Sequence, residues 1–187
     1  MNRTSQATAR RAQRGLSLIE CVAAMAVAVF ALGSAVPDFL QLRERKQLEG
    51  SAAQLATDIR HARSLAVAHR TPVRLSVQQS AGGSCYVIHT GRAGDCQCTA
   101  AGVSSCRTNS QALRTVGFDA AGPVAVTTNS SSMLFDPDRG TVTPTGTLSL
   151  HLQRQRQAGP SIRQVVNIMG RARACSPAPA LPGYPAC

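Results

Sequence analysis

Few side chains in this 187-residue sequence have the types and spacing for chemistry. Its four histidines, His61, His69, His89 and His151, show no ligand spacing with one another. It has no Gly-x-Ser-x-Gly elbow, no His-Glu-x-x-His helix and no Gly/Lys loop to cradle a phosphate. Asp136 and Asp138 flank Pro137, which suits a turn better than a calcium cage, since the cage needs more oxygens. The expectation is a protein that is not an enzyme, with no catalytic residue, no metal site and no cofactor.

Cysteine is the first residue type with a pattern. Cys21 lies in an apolar segment, and the other six (Cys85, Cys96, Cys98, Cys106, Cys175 and Cys187) lie far downstream. An even number there predicts three disulfides in an oxidising compartment. Reduced thiols or a metal site are the competing reading, but Cys96-x-Cys98 lacks the two-residue gap usual in zinc knuckles. Cys96 and Cys98 are too close to bridge each other easily. They are expected to pair with Cys85 and Cys106, in one of two arrangements. Cys175 and Cys187 close a Pro-rich tail.

Arginine is the second. The net charge is +11, and Lys46 is the only lysine. After Asp138 there is no acidic side chain, while Arg139, Arg154, Arg156, Arg163, Arg171 and Arg173 follow. An acid-free, all-Arg stretch is a candidate phosphate-binding surface. On an extended strand Arg171 and Arg173 face one side, and Gly170 before them leaves room for a close backbone approach. Arg154 and Arg156 alternate in the same way. No aromatics interleave, so base stacking is not expected, and any nucleic-acid binding is sequence-independent and salt-sensitive. The competing reading is an ordinary solvated face.

Glu20 is the third. It sits near the head of a run that carries no other charge from Gly15 to Pro37. A carboxylate there is expensive in lipid and marks a function by default. Residues 1–14 contain four arginines and no acid, so they are expected to stay cytoplasmic. Leu16–Leu40 makes about 37 Å of helix, sufficient to span a bilayer. A secretory signal peptide would place its apolar stretch before the cleavage site. Here the small residue Gly15 precedes it, so cleavage would leave the helix on the mature protein.

The elements that position these groups follow from periodicity. Leu48, Ala52, Leu55, Ile59, Ala62 and Ala66 recur at helical spacing and form one apolar stripe. Arg43, Glu44, Arg45, Lys46, Glu49, Asp58, Arg60 and Arg63 are assigned to the other faces. Thr71-Pro72 ends the helix, because the residue before proline avoids the helical region. Strands are predicted at 73–77, 85–89, 113–118, 124–128, 132–135, 140–143, 147–152 and 162–169. Residues 91–111 read as a long Gly/Ser/Cys loop, 136–140 as a turn and 153–160 as a loop. A long N-terminal helix, transmembrane in its first half, packed on an antiparallel β-sheet domain is an α+β arrangement.

The run Gly15-Leu-Ser-Leu-Ile-Glu20, its apolar continuation and Pro37 resemble a type IV prepilin signal, although Leu16 stands where that family usually has Phe. The turn Phe135-Asp-Pro-Asp-Arg-Gly140, the strand from Gly146 and the ending Gly170-Arg-Ala-Arg173 resemble the GspH/FimT branch of minor pilins and pseudopilins. The resemblance implies a pilin-like fold with four parts: a leader at 1–15, an assembly helix at 16–40, its amphipathic continuation at 41–71 and a β-rich domain at 72–187. It implies cleavage between Gly15 and Leu16 by a prepilin peptidase, N-methylation of Leu16, and residence in the inner membrane with the C-terminal domain in the periplasm. Glu20 and Pro37 would serve assembly, Glu20 by neutralising the N-terminal amine of a neighbouring subunit. The implied function is a subunit of the tip or priming complex of a type IV pilus or type II secretion pseudopilus, with other pilins as partners. The alternative is a FimT-like pilin that binds double-stranded DNA through Gly170, Arg171 and Arg173, with Arg154, Arg156 and Arg163 in support.

Overall fold

The computed structural model describes residues 17–153 and 159–187, apart from the side chains of residues 31–32 and 34–38. The chain forms two units, Met1–Leu40 and Gln41–Cys187. The helix α1 (Leu18–His69) contributes to both. Ser17 caps it, its carbonyl and its Oγ both accepting from the Glu20 amide, at 3.1 and 3.3 Å. At the other end Arg70 adopts φ 50°, and the Thr71 amide returns to the Ala66 carbonyl at 3.2 Å. This is a Schellman closure with arginine where glycine is usual, followed by Pro72.

In the second unit the strands are β1 (Val73–Ser80), β2 (Gly83–Thr90), β3 (Cys96–Cys98), β4 (Ser104–Cys106), β5 (Ala112–Asp119) and β6 (Val124–Thr128). They continue as β7 (Ser132–Phe135), β8 (Val142–Thr143), β9 (Gly146–Leu152), β10 (Ser161–Val166) and β11 (Ala172–Cys175). The sheets have the orders β5-β2-β1-β7-β8, β11-β10-β9-β6 and β3-β4. Every pairing between these strands is antiparallel.

All six residues of the predicted stripe, Leu48 to Ala66, are fully buried. They share one core with Leu75, Tyr86, Ile88, Phe135, Leu148, Leu150 and Ile162. Alternation explains the strand contribution: β9 buries Leu148 and Leu150 on one face and leaves Thr147 and Ser149 half-buried on the other. One expectation about the helix is corrected. Asp58 does not occupy a solvated face but is buried, because it stands three residues after Leu55 and four before Ala62, at the edge of the stripe.

Strand boundaries differ as well: β1 runs on to Ser80, β2 starts at Gly83, and two predicted strands shorten. The predicted strand at 140–143 shrinks to β8, because Gly140 and Thr141 belong to the turn: the Asp136 amide donates to the Thr141 carbonyl, and the Gly140 amide donates back to that of Asp136. The predicted strand at 162–169 stops at Val166, because a turn begins at Asn167, whose carbonyl accepts from the Gly170 amide. The loop at 91–111 contains the β3–β4 ribbon, unforeseen because each strand has only three residues. Disulfide Cys85–Cys98 pins the ribbon to β2, and Cys96–Cys106 joins its two strands. Cys85, Val87, Cys96 and Cys98 form a second small core there, so β2 is buried on both faces. The Gln78 side chain ties down the ribbon backbone, donating to the Cys96 carbonyl and accepting from the Cys98 amide. Gly117 on β5 allows the loop to lie flat, since a Cβ there would overlap the Ala100 backbone. Cys175–Cys187 closes the tail, whose Leu181 enters the main core.

Candidate assembly helix and basic surface

In the first unit, every described side chain of α1 is exposed. Leu18, Ile19, Met25, Val27, Val29 and Phe30 each leave more than two thirds of their surface open. Such a helix needs a cover of lipid or other helices. Among the described residues no helix is long and apolar enough to cross a membrane. Glu20 is the acidic residue of the first turn, where the helix dipole favours a carboxylate. It is exposed, and no cation of the described residues lies within ion-pair distance of it. Cys21 is a free, exposed thiol. Gly15 and Leu16 lie outside the described residues, as does the side chain of Pro37.

The basic residues near the C-terminus are divided by the fold. Arg163 on β10 and Arg173 on β11 are exposed on the face of the four-stranded sheet away from the core, where β10 also exposes Val165 opposite Arg173. Arg171 precedes β11 and lines a groove against α1. Arg154 and Arg156 lie outside the described residues.

Gly170 has a different role from the one expected of it. It is buried at φ +69°, and a Cβ there would lie 2.8 Å from Arg63 Cδ and 3.0 Å from the Gly140 carbonyl. Gly140, at φ +63°, packs on the same arginine, and Arg63 Nε donates to its carbonyl at 2.9 Å. The two glycines therefore make room for the Arg63 side chain. The 136–140 turn that presents Gly140 is held by Asp136 Oδ1, which accepts from the Asp138 and Arg139 amides. The signal for this arrangement was present as two separate turn glycines, but nothing linear connected them to Arg63.

Two buried polar groups escaped the sequence reading. Asp58 Oδ2 accepts from the Tyr86 hydroxyl at 2.7 Å and from Arg114 Nε at 2.8 Å. Burial first, and the adjacent carboxylate second, push the Tyr86 phenol well above its usual range. His89 lies between the Thr90 carbonyl, 2.8 Å from Nδ1, and Ser76 Oγ, 2.9 Å from Nε2. Burial holds its pKa below the usual histidine value. His61 and His69 are exposed. These features organise a scaffold; among the described residues no cluster of His, Cys, Asp or Glu has the makings of a metal site.

The model of the family GspH, described as type II transport protein GspH, matches residues 51–170. The chain belongs to the GspH family. It is therefore a member of a family of pilin-like structural subunits and not of enzymes. The match begins after the first unit and ends at Gly170, so within this GspH-family chain Glu20, Arg171 and Arg173 all lie outside it. Among solved structures, the type IV minor pilin FimU of Pseudomonas aeruginosa is similar at 19% identity and a TM-score of 0.50, over 72% of this chain and 96% of that one. A second crystal form of FimU gives 19% and 0.47, over 70% and 98%. The minor pseudopilin EpsH from the type 2 secretion system of Vibrio cholerae gives 12% and 0.47, over 70% and 98%. At 19% identity the likeness to FimU concerns the fold, a long helix on antiparallel sheets. No curated protein sequence matches the chain.

Proposed function

We propose that this GspH-family chain is a minor pilin or pseudopilin. A prepilin peptidase removes residues 1–15, Leu16 is N-methylated, and residues 16–40 hold the protein in the inner membrane until it joins the tip or priming complex of a type IV pilus or a type II secretion pseudopilus. The observation that carries this reading is the exposed apolar half of α1 attached to a family-matched domain with a complete core of its own. A helix so exposed is stable only when covered, first by lipid and then by the helices of other subunits. Glu20 suits the second setting, because a carboxylate among packed helices is tolerated when paired, and the N-terminal amine of a neighbour supplies the opposite charge. To test this, the full chain is co-expressed with a prepilin peptidase and weighed by mass spectrometry. The expected result is loss of residues 1–15, with Glu20→Ala processed normally but failing to enter filaments. An unchanged mass, or normal assembly of Glu20→Ala, argues against the proposal.

A second reading, binding of double-stranded DNA, draws on the exposure of Arg163, Arg171 and Arg173, none of which has a carboxylate of the described residues within 4 Å. On this reading the protein retards duplex DNA at low salt, and Arg171→Ala with Arg173→Ala abolishes the retardation. Each phosphate-neutralising arginine removed flattens the salt slope by roughly one. Retardation unchanged in the double variant argues against it.

A further inference from the structure

The C-terminal part of α1 and the β10–β11 turn enclose an open groove of about 590 Å³. Val67, Ala68 and Ala172 supply apolar surface, and Arg60, Arg63 and Arg171 supply charge. Beside it the β10–β11 turn leaves Ile168 and Met169 exposed by half or more, and Val67 itself is 46% exposed. Both elements belong to the second unit, and the Arg63 side chain packed on Gly140 and Gly170 fixes their spacing.

None of the three arginines has a carboxylate of the described residues within 4 Å. Arg63 Nε is engaged by the Gly140 carbonyl, and Arg60 bonds the Ala56 carbonyl and Thr57 Oγ1 of its own helix. A guanidinium has five N–H donors, so each keeps donors beyond these. Positive charge beside exposed apolar side chains fits a ligand that is both acidic and apolar.

We infer that this groove docks an acidic, apolar-flanked segment of a different protein. A second copy of the chain is poorly equipped to supply one: the acids of its second unit are sparse and mostly engaged, Asp138 stands alone in a tight turn, and Glu20 is assigned to the assembly helix. Asp58 is held by Tyr86 and Arg114, Glu49 by Arg45 and Lys46, and Asp95 by Ser110 and the Arg92 amide. Asp119 and Asp136 cap their own turns. Duplex DNA satisfies the arginines and leaves the apolar floor without a partner, since its backbone presents only phosphate and sugar. Carboxylates on the guanidiniums, with an aliphatic side chain over Val67 and Ala172, use both halves of the groove. The inference rests on the filament-subunit reading only for where such a partner is met.

The test uses the full chain in detergent and a short fluorescent peptide of repeating Glu-Glu-Leu, read by anisotropy. An all-Glu peptide, a Lys-Lys-Leu peptide and a short DNA duplex serve as competitors. The Glu-Glu-Leu peptide is expected to bind, and Arg60→Glu, Arg171→Glu and Val67→Ser each to weaken it by about five- to tenfold. Arg173→Glu, which lies outside the groove, leaves it unchanged, and all four variants keep the melting temperature of the parent. No binding, or binding indifferent to Arg60→Glu and Arg171→Glu, overturns the proposal. So does an all-Glu peptide that binds equally well with Val67→Ser silent, which makes the groove a plain anion site. DNA that displaces the peptide and depends on Arg173 assigns the surface to nucleic acid instead. Leader cleavage is measured separately, so failure here leaves the filament-subunit reading intact.

Discussion

The Tyr86 hydroxyl donates a 2.7 Å hydrogen bond to Asp58, joining the centre of β2 to the C-terminal half of α1 inside the core. Arg114 from β5 reaches the same carboxylate oxygen at 2.8 Å from a more open position. The helix is thus fixed to the sheet by a directional contact as well as by its apolar stripe. Tyr86→Phe removes one donor and is expected to cost about 1–2 kcal/mol. Asp58→Ala strands a buried hydroxyl and opens a space, costing about 3 kcal/mol. Arg114→Ala, whose side chain is partly exposed and solvent-screened, costs no more than about 1 kcal/mol. Urea unfolding of the three variants checks the order, and an equal loss in all three contradicts it.

One disulfide, Cys85–Cys98, holds the β3–β4 ribbon on β2, and the other, Cys96–Cys106, holds its two strands together. Replacing Cys96 and Cys106 together by Ser opens a loop closed over 10 positions and is expected to cost about 2–3 kcal/mol. Limited proteolysis then cuts within residues 91–111 while the helix and main core stay protected. Cleavage elsewhere first contradicts this division.

Gly170 and Gly94 both have positive φ, yet they differ in surroundings. A Cβ at Gly94 meets nothing within 4 Å, whereas at Gly170 it meets Arg63 and the Gly140 carbonyl. Gly94→Ala is expected to cost about 1 kcal/mol, from backbone strain alone. Gly170→Ala adds a steric term and costs about 2–3 kcal/mol. Thermal melts of the two variants separate strain from packing.

Arg70 closes α1 in the left-handed region, which an L side chain adopts at a cost. Arg70→Gly is expected to stabilise the protein by roughly 0.5–1 kcal/mol, because glycine takes this conformation without strain. A lower melting temperature in Arg70→Gly argues against the Schellman closure.

His89 makes stability depend on pH. Burial depresses its folded-state pKa, and neighbouring Arg74 acts in the same direction, against the Thr90 carbonyl and the more distant Asp95. Nδ1 donates to the Thr90 carbonyl, so neutral Nε2 accepts from Ser76. In the unfolded chain His89 binds its proton near pH 6.5, above the folded value. The stability it contributes is therefore present above about pH 6.5 and is lost as the pH falls from there through the folded pKa. His89→Gln is expected to flatten the decline in melting temperature below that pH. An unchanged slope assigns the acid sensitivity elsewhere.

Much of this architecture was legible in the sequence. The spacing from Leu48 to Ala66 specifies a helix face because a period near 3.6 has no other use, and the alternation at 147–152 specifies a half-buried strand. Asp58 was misread for a physical reason. A charged residue is assigned to water unless its partners are known, and Tyr86 and Arg114 lie 28 and 56 positions away. His89 was no more visible, because its burial depends on Ser76 of a neighbouring strand.

By itself the sequence determined the amphipathic helix, most of the strands, and the restriction of four cysteines to two pairings. Each of these depends on local period, composition or short-range reach. Tertiary structure alone decided that Cys85 joins Cys98, because the ribbon lies across β2 in one register. It also decided that Arg171 lines a groove while Arg173 does not, and that Gly140 and Gly170 meet on Arg63. Those outcomes depend on which faces and turns of distant segments are brought together by burying one shared apolar core.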